Sequence, residues 1–137
     1  MTVTANFPGR VWPLPRIDTV SLREVRDARP VALYTSGPAW VALGGALDLS
    51  IVWRAEPADA TEELFTSLAD AIPAGAEAIY AVGGGLPVDA AKIGAARRGL
   101  PLIAVPTAVS VDAHLTPASG IRRDGCVFYL ETGAPQQ

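Results

Sequence analysis

The chain has 137 residues, half of them hydrophobic and 18% charged, which suits one folded domain and excludes a disordered chain. The formal net charge is −3, and basic residues adjoin only at Arg97-Arg98 and Arg122-Arg123; the basic face needed for nucleic-acid binding is missing, and no apolar run approaches the ~20 residues of a membrane span. A single cysteine, Cys126, excludes an internal disulfide and fits a reducing compartment.

Residues 1–20 are broken by Pro8, Gly9, Pro13 and Pro15. They lack the continuous apolar core of a signal peptide, so a cytoplasmic location is expected. Val11-Trp12 and Leu14 are candidates for an edge strand. Ser21-Leu-Arg-Glu24 has the form of a capping box, predicting a helix of about two turns that Pro30 ends. Val31–Tyr34 is a short apolar strand. Ser36-Gly37-Pro38 then starts a helix, with Ser36 as cap, Pro38 in the first turn and Trp40, Val41 and Leu43 on its buried side. Gly44-Gly45 stops it, and Ser50–Trp53 is the next strand.

Asp59-Ala-Thr-Glu62 resembles a second capping box with Asp59 as the cap. Leu64, Phe65, Leu68 and Ile72 follow at helical spacing, until Pro73 and Gly75. Ala78–Val82 lacks alternation and reads as a strand buried on both faces. Pro87–Arg98 is a helix with Pro at its start and Gly99 just past its end. Leu102–Val105 is a further buried strand. Ile121-Arg-Arg and Cys126–Leu130 flank Asp124-Gly125, a strong hairpin signal. Alternating strands and helices predict one α/β domain over residues 1–137. It is Rossmann-like: a mostly parallel sheet with helices on both faces, plus a C-terminal β-hairpin.

Ligands of such sheets sit at the carboxyl ends of the strands. Two segments leave such ends, Gly83–Gly85 and Thr107–Asp112, and they face each other if their strands are neighbours. Glycines let the chain turn tightly and let a phosphate approach the backbone. The helix start adds unpaired donors, here the N–H groups of Gly84, Gly85 and Leu86, since Pro87 has none. The same glycines would also serve a turn that only packs helix on strand, and the strict GxGxxG fingerprint is absent. Asp89 either complements the helix dipole and pairs with Lys92, or accepts hydrogen bonds from a ribose or amide. Lys92 reads as a solvated ion-pair partner. Thr107, Ser110, Asp112 and Thr116 either cap turns or contact a ligand. The lone His114 reads as a surface or packing residue, and one His with one Cys does not furnish a zinc site of the usual kind.

Taken together and in order, Gly83-Gly84-Gly85, Asp89-Ala-Ala-Lys92, Val105-Pro106-Thr107 and Ser110-Val-Asp112-Ala resemble the glycerol dehydrogenase and glycerol-1-phosphate dehydrogenase branch of the iron-containing alcohol dehydrogenase and dehydroquinate synthase superfamily. The resemblance runs from about Val31 to the C-terminus. It implies an NAD- or NADP-binding domain of a metal-dependent polyol or polyol-phosphate dehydrogenase. By the same resemblance, Gly83, Gly84, Gly85, Leu86 and Asp89 would hold the pyrophosphate and nicotinamide half. Thr107, Ala108, Val109 and Ser110 would line the adenosine side, Thr116 would match a cofactor-contacting serine, and Asp112 the substrate-binding aspartate.

Three departures stand out. Leu86-Pro87 replaces a more usual polar residue in the glycine loop. Thr35-Ser36 stand where the family has its acidic ribose contact. The family's second, helical domain, which supplies one Asp and two His to zinc or iron, is not in this sequence. The expectation is therefore a domain that binds the dinucleotide, binds no metal, and is inactive by itself. Apolar surface left open by the missing domain would favour self-association. The alternative reading is a non-catalytic nucleotide-binding or interaction module.

Overall fold

The computed structural model describes residues 15–108 and 112–137. The expected edge strand at Val11–Leu14 and the site residues Val109 and Ser110 lie outside that range. Four strands form one sheet: β1 (Arg26–Thr35), β2 (Asp48–Ala55), β3 (Ala78–Gly83) and β4 (Leu102–Pro106), in the order β2-β1-β3-β4. Every neighbouring pair is parallel. The helices are α1 (Gly37–Leu43), α2 (Glu62–Ala71) and α3 (Gly85–Arg98), and a separate antiparallel hairpin consists of β5 (Ala118–Arg123) and β6 (Cys126–Glu131).

Side chains of successive strand residues point to opposite faces, and the two central strands divide the core on that basis. Ala32 and Tyr34 of β1 and Ile79 and Ala81 of β3 pack with Phe65, Val88, Ala90 and Ala91 of α2 and α3. Val31, Leu33, Ala78, Tyr80 and Val82 form the opposite face, covered by Trp40 and Leu43 of α1. Helices therefore lie on both faces, as expected, and β3 is buried along its whole length. Ala90, Ala91 and Gly94 are all buried, and their small size sets α3 close against the sheet.

Several local expectations are corrected. Ser21–Glu24 makes a single 3-10 turn over Leu22–Glu24, not two turns of helix, although Glu24 does take the Ser21 N–H at 2.8 Å. The chain is already in β1 by Arg26, and Pro30 does not end an element. It sits where the β1–β2 register shifts, a place where a missing N–H is tolerated. Val41 faces out, 87% exposed, because α1 presents only one side to the sheet. Thr61, not Asp59, caps α2, its hydroxyl accepting from the Leu64 N–H at 3.3 Å. β4 is an edge strand and only half-buried. Its outer edge pairs with the last residues: Gln136 N–H donates to Leu102 O at 2.8 Å and Ala104 N–H to Gln137 O at 2.6 Å.

The hairpin forms at the expected place. Asp124 and Gly125 both have positive φ, 51° and 75°, the conformation of a two-residue type I′ turn. The hairpin docks against α2 and α3: Arg122 N–H donates to Ala60 O at 2.6 Å, Ile121 is fully buried, and Arg123 pairs with Glu62.

Candidate functional site

β3 and β4 are adjacent, so Gly83 lies opposite Pro106, and Thr107 N–H donates to Gly83 O at 3.1 Å. The two segments leaving these strands thus stand side by side. Gly83 has a φ of 155°, and a Cβ there would come within 2.9 Å of Pro87; only glycine suits this turn. Gly84 caps α3 and has nothing within 4 Å of the place a Cβ would occupy. The place of a Cβ on Gly84 is thus open, and the first backbone N–H groups of α3, those of Gly85 and Leu86, have no partner within the helix. The helix begins two residues before Pro87, which puts Asp89 at its fifth position and not in its first turn.

A cleft of about 990 Å³ opens beside this helix start. Gly85, Leu86, Asp89, Asp112 and Thr116 line it together, so the fold brings five of the expected residues to one place. Gly83, Gly84, Thr107 and Ala108 are not part of its lining. Gly83 is buried within the turn, and Thr107 and Ala108 are exposed to solvent.

The charged groups are arranged unevenly. Lys92 is not solvated, as its i,i+3 spacing to Asp89 suggested: it is 1% exposed, because α3 turns that side toward the loop before β5. Its ammonium donates to Ala118 O at 2.9 Å and to Thr116 Oγ1 at 3.4 Å, with Asp89 Oδ1 at 3.8 Å. Burial pushes the Lys92 ammonium down and the Asp89 carboxyl up, and each opposes the shift of the other. The result is a carboxylate held at the cleft wall by a buried cation.

His114 is buried, 7% exposed, as a packing residue would be. Neither ring nitrogen has a hydrogen-bond partner among the described residues. Burial pushes its imidazole below the ordinary value; the Ala108 backbone opposes this from nearby but lacks hydrogen-bond geometry. Thr35 and Ser36 are both occupied locally: Thr35 Oγ1 donates to Val82 O at 2.7 Å, and Ser36 caps α1.

Sequence reasoning missed the contribution of the hairpin. Tyr129 and Arg122 line the cleft, as does Asp59 before α2. Ser119 is fully buried, donates to the Asp89 backbone carbonyl at 3.0 Å, and meets Thr132 Oγ1 at 3.1 Å. The Asp124-Gly125 turn announced the hairpin, but no pattern in it says which face meets α3.

The model of the iron-containing alcohol dehydrogenases matches residues 35–136. The chain belongs to that family. Within it, the sequence is similar to the glycerol-1-phosphate dehydrogenase (NAD(P)+) of Methanothermobacter thermautotrophicus, at 36% identity over 95% of this chain and 40% of that one. It is also similar to the enzyme of the same name from Thermoplasma acidophilum, at 45% identity over 41% of this chain and 16% of that one. The chain thus spans about two-fifths of the length of the first of these relatives. Among solved structures, glycerol dehydrogenase from Schizosaccharomyces pombe shares the fold, with a TM-score of 0.69 and 21% identity over 81% of this chain and 31% of that one. A probable glycerol dehydrogenase from Sinorhizobium meliloti gives 0.67 and 22% identity over 79% and 32%. The resemblance read from the glycine turn and the downstream Thr, Ser and Asp holds at the level of the family and its glycerol branch.

Proposed function

We propose that this chain forms the nucleotide-binding wall of an NAD(P)-dependent polyol or polyol-phosphate dehydrogenase of the glycerol or glycerol-1-phosphate type. The observation that carries the reading is the cleft at the carboxyl end of the parallel sheet. There the open start of α3 meets Asp89, Asp112 and Thr116. A dinucleotide fits this arrangement. Unpaired backbone N–H groups and the positive end of the helix dipole attract a pyrophosphate, and the open space over Gly84 admits it. Gly84, Gly85 and Leu86 would hold the phosphates, and Asp89 would accept from an amide or ribose hydroxyl. Thr116 would offer its hydroxyl to the cofactor, and Asp112 would orient a substrate hydroxyl. The nicotinamide supplies hydride transfer from a secondary alcohol; the protein supplies position and charge. Thr107, Ala108 and Ser110 stay assigned to the adenosine side by resemblance.

A metal does not fit these residues in the same way. Among the described residues no group of three or more His, Cys, Asp or Glu side chains is placed to hold an ion. No step of the proposal therefore runs through one. The 137-residue chain is expected to bind the dinucleotide without turning over substrate.

Calorimetry with NADH, NADPH and ADP-ribose tests the binding, and a dehydrogenase assay with glycerol or glycerol phosphate plus zinc tests the turnover. The reading expects heat of binding for NADH or NADPH and no turnover. Absence of binding for all three at about millimolar concentration would overturn it in favour of an interaction module. Turnover would overturn the assignment of this chain to one wall only.

A further inference from the structure

Lys92 is a charged residue with a buried side chain, next to a cleft whose Asp59, Asp112 and Arg122 are exposed to solvent. Taking an ammonium out of water is unfavourable unless it is paired and hydrogen-bonded, and a methionine would fill similar volume without that cost. The partners of Lys92 come from three stretches of chain: Asp89 on α3, Thr116 in the loop before the hairpin, and Ala118 at the first residue of β5. Asp89, Thr116 and Ala118 all line the cleft. Lys92 is not in that lining; it lines a second, smaller cavity of about 410 Å³ with Thr132 and Gly133. Asp112 and His114 also face its charge, and Asp112 faces Asp89 as well.

We propose that Lys92 is a positioning residue: its buried ammonium clamps the Asp89 carboxylate to the Thr116–Ala118 segment, and so sets the spacing of the cleft wall that α3 and the hairpin share. Without the clamp, Asp89 would sit half-buried beside Asp112 with its main counter-charge gone, held only by the Gly120 backbone and by the Ser119 bond to its carbonyl, and Thr116 would lose its contact with α3. The geometry of the clamp stands by itself; its consequence for ligand binding rests on the nucleotide-site reading above.

The test uses the 137-residue chain with Lys92→Met and Lys92→Arg. The Asp89 carboxyl is followed against pH by carbon-13 NMR, and NADH is titrated at about pH 6 and about pH 8. In Lys92→Met the Asp89 titration is expected to move to higher pH than in the unsubstituted chain. The NADH Kd should then rise about tenfold at the lower pH and less at the higher one, as Asp89 loses its charge first at low pH. Lys92→Arg should restore most of both, since it keeps the charge. An unmoved Asp89 titration overturns the clamp, and so does an equal loss of affinity at both pH values, which a general structural defect would give. If NADH binds no form of the chain while the titration still moves, the nucleotide reading fails and the clamp stands. Should Lys92→Met not fold, Asp89→Asn reads the same pair from the other side. There the Lys92 ammonium, followed by nitrogen-15 NMR, must titrate at lower pH than before, and an unchanged titration overturns the clamp.

Discussion

At Gly84 a missing Cβ matters for what it leaves open. The residue has a φ of −85° and a ψ of −155°, which a larger residue adopts without strain, and open space surrounds the place of its absent Cβ. Gly84→Val should therefore fold as well as the parent, with stability changed by about 0.5 kcal/mol or less. Its side chain would fill the open space beside the start of α3; if the phosphate binds there, NADH affinity should fall at least about tenfold. Thermal melting and an NADH titration separate the two effects; full affinity in a well-folded variant would remove the glycine turn from the site. Asp89 and Lys92 show the limit of reading residues singly. Their spacing identified the pair, but spacing on a helix does not say whether the pair faces water, and here it faces the loop before β5.

For α3, closeness to the sheet is the governing property. A Cβ on Gly94 would come within 2.7 Å of the Tyr34 hydroxyl on β1. That hydroxyl is itself buried with no hydrogen-bond partner among the described residues, and burial pushes its pKa up. Gly94→Ala gains helix propensity of about 1 kcal/mol, but overpacking against a rigid strand costs about 1–3 kcal/mol. The net expectation is a loss of about 1 kcal/mol. Tyr34→Phe removes an unpaired buried polar group, so it should be neutral or stabilising by up to about 1 kcal/mol. It should also relieve part of the Gly94→Ala loss, since the hydroxyl contact goes while the ring carbons at 3.2 and 3.3 Å remain. Denaturant melts of both single variants and the double one check this; additive losses would show that the helix does not approach Tyr34 this closely. The small residues of α3 announced close packing from the sequence. Their partner Tyr34 lies 60 positions away and carried no signal of it.

In the molecule as a whole, His114 and Asp27 lower stability on acidification, and Asp89, whose carboxyl burial holds above its ordinary value, partly opposes them. His114 is held below its ordinary value of 6.5 by burial, so the unfolded chain binds the proton more readily than the folded one. Stability from this group is present above about 6.5 and is lost as pH falls from there toward the folded value. Asp27 is held at about 2 by its hydrogen bond to Arg29, with Tyr80 adding a further bond at 3.0 Å. Its contribution is present above 3.8 and is lost as pH falls toward 2. Because Arg29 is nearly half-exposed, the Asp27 contribution is discounted to about 1 kcal/mol. Melting temperature should therefore drop in two stages on acidification. His114→Leu should flatten the first stage and Asp27→Asn the second. An unchanged first stage in His114→Leu would mean that the imidazole is not held neutral in the fold.

The order of elements, the parallel sheet and the hairpin were all legible in the chain, because they depend on local rules. Glycine permits the Gly83 turn, proline and small residues mark α3, and Asp124-Gly125 forces a tight reversal. The extent of β1 was not legible, since a proline ordinarily ends an element and Pro30 is accommodated only by a register shift against β2. The half-burial of β4 was not legible either, because an edge strand and a central one have the same apolar composition. What the tertiary structure alone decided is how the site is walled. The hairpin's docking on α2 and α3 brings Arg122 and Tyr129 to a cleft that Gly85 and Leu86 begin, and it buries Lys92 behind Asp89. Such contacts join residues 24 to 62 positions apart, and the free energy that selects them comes from surfaces meeting in space, which no pattern along the chain records.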